Sequence, residues 1–342
     1  MSELTPRQQL ILGLVIREYI SAVQPVGSKT IEGYGLGVSS ATIRNEMVIL
    51  EEHGYLLQPH TSAGRVPTEQ GYRYFVERLM RESQVPLNEQ RTIRHQFHQV
   101  GVDLEQWMRL AASVLAHQSH GASLVTTLQS TQARFKHLQL ISTRGRQVLM
   151  VLVMVGGSVR QQMLVLAEPV SQERLSTVAE ELNRLYTDLG AESISALSGQ
   201  LDDLGQDLTK LTLDEMRRSD PMSGEVYRDG LTNVLAEPEF AEAGVARNAL
   251  RVLEERPLLE DLLTRTVQNA DVGGVQVLIG GEGIWEELRD CSVVLARYGV
   301  PGMATGMLGV LGPIRMSYGR TISTVRYVSR LLSDLVTDLV SE

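Results

Sequence analysis

The stretch Ser39–Gly71, SSATIRNEMVILEEHGYLLQPHTSAGRVPTEQG, decides how the chain is read. Two serines precede a run in which Ile43, Met47 and Leu50 recur at helical spacing, so one face of a short helix is apolar. Ser39 or Ser40 supplies its N-cap, and Gly54 ends it. Tyr55-Leu56-Leu57-Gln58 then reads as a strand, residues 59–64 as a turn rich in Ser, Thr and Gly, and Arg65-Val66-Pro67 as a short return strand. Helix, strand, polar tip, strand is the order of parts in a winged helix-turn-helix, a module that lays a helix in the DNA major groove.

The other side of that helix carries Ala41, Arg44, Asn45 and Val48. Arginine can bond guanine bidentately, asparagine can bond adenine, and small residues permit close approach. The hydroxyls of Ser39, Ser40 and Thr42, with the helix N-terminus, suit phosphate oxygens. At the polar tip Arg65 is placed to reach a phosphate or the minor groove, with His60, Thr61 and Ser62 beside it. A single such helix face is more often merely solvated. The strand pair behind it shifts the balance toward reading DNA.

The flanks agree. Thr5-Pro6-Arg7-Gln8 is a helix start, with Thr5 as N-cap, proline in the first turn and Gln8 placed to close a capping box. Ile11, Leu14, Val15 and Ile20 make an apolar stripe along that helix. After Pro25-Val26-Gly27, Ser28 is expected to cap a second short helix through Tyr34, with Lys29 as its phosphate contact, and Gly35-Leu36-Gly37 to turn the chain. Thr68 caps a further helix whose buried stripe is Tyr72, Phe75, Val76 and Leu79.

Charge limits how such a module could work. The net charge of the 342-residue chain is −9, and residues 1–82 hold eight Lys/Arg against nine Asp/Glu. Any affinity for DNA must come from where the charges sit, not from a basic surface overall. The length suits two or three domains, and 43% hydrophobic residues suffice for their cores. One cysteine, Cys291, rules out an internal disulfide framework and fits a reducing compartment. The start of the chain lacks a signal-like pattern, and the longest apolar run, Val148 to Val155, is too short to span a bilayer. A soluble, cytoplasmic protein with no membrane partner is expected.

Beyond a polar linker at residues 83–90, helices are expected through His98 and over Leu104 to Ala116. Strands follow at Ala122 to Leu128, Phe135 to Thr143, Val148 to Val155 and Val159 to Leu166, with turns at Arg144-Gly145-Arg146 and Gly156-Gly157-Ser158. Gln172 to about Val267 is helical and acidic. Strands return at Gly274 to Ile279, Cys291 to Tyr298 and Met303 to Leu311, before a closing helix from about Tyr318 to Val340. A sheet begun before a helical block and finished after it implies an insertion.

Nothing in the sequence assembles catalysis. His95/His98 and His117/His120 lack a third ligand nearby, and Gly280-Gly281-Glu282-Gly283 has neither dinucleotide spacing nor a Walker lysine. Cys291 sits in an apolar stretch without a base. No enzyme, metal site or cofactor is expected.

PVGSKTI, SSATIRNEM, LEEHGYL and above all QPHTSAGRVPTEQGYRYFV resemble the heat-inducible transcription repressors of the HrcA type, as do LGVLGPIRMSY and RTISTVRYVSRLLSDL near the C-terminus. IEGYGLG departs from that family in lacking extra basic residues. The resemblance implies an α+β protein: a winged-helix domain at residues 1–82, a GAF-like antiparallel-sheet domain at 91–171 and 268–342, and an inserted dimerisation domain at 172–267. It implies a homodimer that represses chaperone operons at an inverted-repeat operator on double-stranded DNA, with activity modulated by the chaperonin. The alternative is a regulator gated by a small molecule held in the GAF-like domain; an enzyme ranks last.

Overall fold

A computed structural model describes the chain except for residues 1–3, 62, 81–82, 131–133, 156–158, 218–224, 268–270, 281–283, 302 and 342. The elements run α1 (Pro6–Ala22), α2 (Ser28–Glu32), α3 (Ser40–Glu52), β1 (Leu56–Leu57), β2 (Val66–Pro67), α4 (Glu69–Tyr74), α5 (Leu87–Val100) and α6 (Leu104–Ser119). Next come β3 (Ala122–Thr126), β4 (Gln129–Ser130), β5 (Phe135–Ser142), β6 (Gln147–Met154), β7 (Val159–Val165), α7 (Gln172–Tyr186), α8 (Ala191–Leu197) and α9 (Asp203–Arg217). Then follow β8 (Val226–Asp229), α10 (Leu231–Leu235), α11 (Ala243–Glu254), α12 (Arg256–Val267), β9 (Val275–Ile279), β10 (Cys291–Val300), β11 (Ala304–Pro313) and α13 (Tyr318–Ser341). The mixture is α+β.

The chain divides into two compact units, one of residues 1–127, 225–299 and 306–342, the other of 128–224 and 300–305. In the first, α1 begins with the expected reciprocal cap: Gln8 N–H donates to Thr5 Oγ1 at 3.3 Å, and Thr5 N–H to Gln8 Oε1 at 2.9 Å. Ile11, Leu12, Val15 and Ile16 of α1 are buried, as are Ile31 of α2 and Ile43, Met47 and Leu50 of α3. β1 and β2 pair antiparallel, Leu56 opposite Pro67, and Val26 adds a rung by exchanging two 2.9 Å hydrogen bonds with Arg65. That rung demands a glycine beforehand, because a Cβ on Gly64 would lie 2.4 Å from Val26 O.

Three elements differ from expectation here. Ser28 is the first residue of α2 and Gly27 its N-cap, and the helix stops at Glu32. The stripe of α4 buries Tyr72 and Phe75 but leaves Val76 and Leu79 partly exposed, since residues 75–79 widen into a π-helical turn that rotates the face. Tyr72 packs its ring against Tyr318 at the start of α13, centroids 5.9 Å apart. α5 starts at Leu87, inside the expected linker.

The sheet of this unit has the order β8-β3-β11-β10-β9, with β8–β3, β3–β11 and β10–β9 antiparallel. α6 lies against β3 and α13 against α6. Strand β8 was not expected: its four residues sit in a stretch read as helical, and they join the sheet only by pairing with β3, about a hundred positions earlier.

The second unit is a sheet of its own. β5, β6 and β7 form two antiparallel hairpins, Ile141 opposite Leu149 opposite Met163, with the second turn, Gly156-Gly157-Ser158, outside the described residues. One face buries Phe135, Leu138, Leu140, Val148, Met150 and Leu152 under Leu175, Val178, Leu182 and Tyr186 of α7. Helix α7 also covers the β5 edge: Asn183 accepts from Leu138 N–H at 2.6 Å and donates to Leu138 O at 2.9 Å. This unit comprises residues 128–224 with 300–305, where the sequence reading placed an insert at 172–267. The three strands expected in the main sheet pair with one another, and residues 225–267 return to the first unit.

Candidate nucleic-acid interface

Helix α3 is held from behind and open in front. Its inward residues Ile43, Met47 and Leu50 are buried, while Ala41, Arg44 and Asn45 are exposed and Val48 is half-buried. Glu46, on its flank, is tied to α1 by Gln8 Nε2 at 3.1 Å and by Arg7 at 3.5 Å. Among the described residues no hydrogen bond or ion pair engages Arg44. A braced helix with a free guanidinium and carboxamide on one face can present both to a groove without reorganising.

The start of α3 is less open than the sequence implied. Ser39 is the N-cap, its Oγ accepting from Thr42 N–H at 3.3 Å and lying 3.1 Å from Thr42 Oγ1. Ser40 is bound on two sides: its N–H donates to Glu32 Oε1 at 2.9 Å, and its hydroxyl is 2.9 Å from Ser28 Oγ. Lys29 is exposed on α2.

Arg65 is corrected. Expected at the tip of the hairpin, it is 8% exposed and turned inward, donating from Nε to Glu51 Oε2 at 2.9 Å and pairing from a terminal nitrogen at 2.8 Å. The same carboxylate accepts Gln58 N–H at 3.1 Å. Glu51, in the last turn of α3, thus ties both hairpin strands to that helix. Gln58 folds the tip itself, donating to Thr61 O at 3.1 Å and Ala63 O at 2.9 Å. His60 and Thr61 stand exposed there, and Ser62 lies outside the described residues. Sequence reasoning missed Glu32, Glu51 and Gln58 because their partners are set by packing rather than by spacing.

His95 hydrogen-bonds Gln99 at 3.1 Å, and His120 leaves its helix at φ +54°, so it shares no helical face with His117. Among the described residues no group of three or more His, Cys, Asp or Glu is placed to hold a metal ion. Cys291 is buried, and burial pushes its thiol up to about 12. Gly280 turns at φ +65°, and Gly281, Glu282 and Gly283 lie outside the described residues. No described helix is long and apolar enough to cross a membrane.

The family model for the HrcA protein C terminal domain matches residues 105–322. The heat-inducible transcription repressor HrcA of Roseiflexus castenholzii is 45% identical, the alignment covering 99% of this chain and 96% of that protein. The chain belongs to the HrcA family. The HrcA of Chloroflexus aurantiacus is 44% identical over 98% of this chain and 95% of its own, and that of Dehalococcoides mccartyi 38% over 98% and 97%. The α3 face lies outside the span of the HrcA C-terminal model but inside these full-length alignments. A crystal structure of a hypothetical protein shares the fold with a TM-score of 0.60 at 24% identity, covering 98% of this chain and 99% of that one.

Proposed function

We propose that the chain is a transcription repressor of heat-shock genes that binds an inverted-repeat operator upstream of chaperone operons as a homodimer. In this reading α1 to β2 are a winged helix-turn-helix, α3 is the recognition helix, and Ala41, Arg44 and Asn45 read base edges. His60, Thr61 and Ser62 on the hairpin tip, with Lys29, contact the backbone. Arg65 holds the hairpin against α3 instead of touching DNA. The relatives' name, heat-inducible transcription repressor, supports the class of function. The observation that carries the site is the exposed Arg44–Asn45 face on a helix whose back is wholly buried.

Dimerisation falls to the inserted unit. On the sheet face opposite α7, Ile141, Val159, Met163 and Val165 are exposed, Val165 to 67%. An exposed apolar sheet face of this kind is a site for protein contact, and a second copy presents the same surface about a two-fold axis. The two-fold then matches the two halves of the operator. The sheet built on β3, β8, β9, β10 and β11 is the GAF-like body in this reading, and modulation by the chaperonin follows from the family resemblance.

A salt-titrated anisotropy assay on an inverted-repeat operator and a scrambled duplex, with and without chaperonin, tests the reading. Selective binding at one dimer per two half-sites, strengthened by chaperonin, is expected; equal binding to both duplexes overturns it.

A further inference from the structure

The start of α3 already holds an anion. A helix N-terminus offers outward N–H donors and partial positive charge, which is why phosphates settle there. In this chain α2 ends at Glu32, and the Glu32 carboxylate accepts the Ser40 N–H at 2.9 Å. Ser39 takes the Thr42 N–H, and Ser28 engages the Ser40 hydroxyl. The Ser39, Ser40 and Thr42 hydroxyls that the sequence offers to a phosphate are thus engaged within the chain, and the Ser40 N–H is engaged by a full negative charge. Glu32 itself is exposed, so its charge faces whatever approaches.

We infer that Glu32 sets the overall affinity of the DNA contact, an internal stand-in for a backbone phosphate that lowers affinity for every duplex alike. The inference rests on the DNA-binding reading above. A phosphate arriving at α3 either displaces Glu32, which then loses its hydrogen bond, or meets the carboxylate in place and is repelled. Both costs fall on backbone contacts, which carry no sequence information. Binding then depends on what Arg44 and Asn45 gain from the correct bases. The competing role, a brace between α2 and α3, needs an acceptor at position 32 but no charge.

Glu32→Gln keeps an oxygen acceptor for Ser40 N–H and removes the charge; Glu32→Ala removes both. Each full-length variant is compared with the native chain by anisotropy on operator and scrambled duplexes across a salt series, with thermal melting to confirm the fold. Glu32→Gln is expected to tighten both duplexes by a similar factor, about three- to tenfold near 0.1 M salt, and to steepen the log K against log salt slope by up to about one. Glu32→Gln level with the native chain while Glu32→Ala weakens overturns the inference in favour of a brace; both level with it overturns any role. A native chain that binds neither duplex overturns the DNA-binding reading and this inference with it. A native chain that selects the operator while Glu32→Gln stays level overturns the inference alone.

Discussion

The N-terminal module and the inserted unit expose opposite chemistry on faces built the same way. Each has a buried side that fixes it: Ile43, Met47 and Leu50 under α3, and Leu138, Leu140, Met150 and Leu152 under the three-stranded sheet. On the outer side α3 shows Ala41, Arg44 and Asn45, whereas the sheet shows Ile141, Val159, Met163 and Val165. Polar groups left in water on a rigid helix lose little by exposure and can be reused on a hydrogen-bonding partner. Apolar side chains left in water gain about 25 cal/mol for each Å² later covered, so the sheet face favours a protein partner and the helix face a polyanion.

Charging the sheet face tests this contrast most severely. Met163→Asp is expected to separate the dimer in sedimentation equilibrium and, by removing bivalency, to weaken operator binding by about 10²-fold or more. An intact dimer would assign that face elsewhere. Glu51→Ala leaves the Arg65 guanidinium buried without its partner. Because Glu51 is about one-third exposed, the expected loss of stability is about 1–3 kcal/mol, read as a lowered melting temperature with operator selectivity reduced alongside it. Arg44→Ala separates the faces in the other direction: operator affinity falls by about 1–3 kcal/mol while melting and dimerisation stay native. Unchanged affinity would remove Arg44 from the reading set. His60→Ala is the mildest, with under about 1 kcal/mol lost equally on operator and scrambled duplexes, as a backbone contact requires.

Legibility followed the range of the interactions. The Thr5–Gln8 cap spans three residues, and its two hydrogen bonds are those the letters TPRQ prescribe. The α3 stripe and the limits of β5, β6, β10 and α13 are likewise local patterns, and the structure places them within two residues of expectation. Arg65 shows where that reasoning stops. Its neighbours in sequence are those of a solvent-facing tip, yet its environment is made by Glu51, fourteen residues back, and by a rung to Val26. The extent of the second unit was not legible for the same reason, since alternating strands look alike whichever sheet they join.

The sequence by itself determined the helix α3 and the limits of β5, β6, β10 and α13, the buried side of α3, the exposure of Arg44 and Asn45, and membership of the family. Each depends on residues within a turn or two of one another, or on overall similarity. Only the tertiary structure decided that β8 joins the main sheet, that residues 128–224 with 300–305 form a compact unit, that Arg65 is an internal anchor and that Glu32 occupies the start of α3. Those outcomes come from pairings between segments that the chain brings together only on folding. A strand's partner and an arginine's counter-charge are settled by which burial leaves the fewest polar groups unsatisfied.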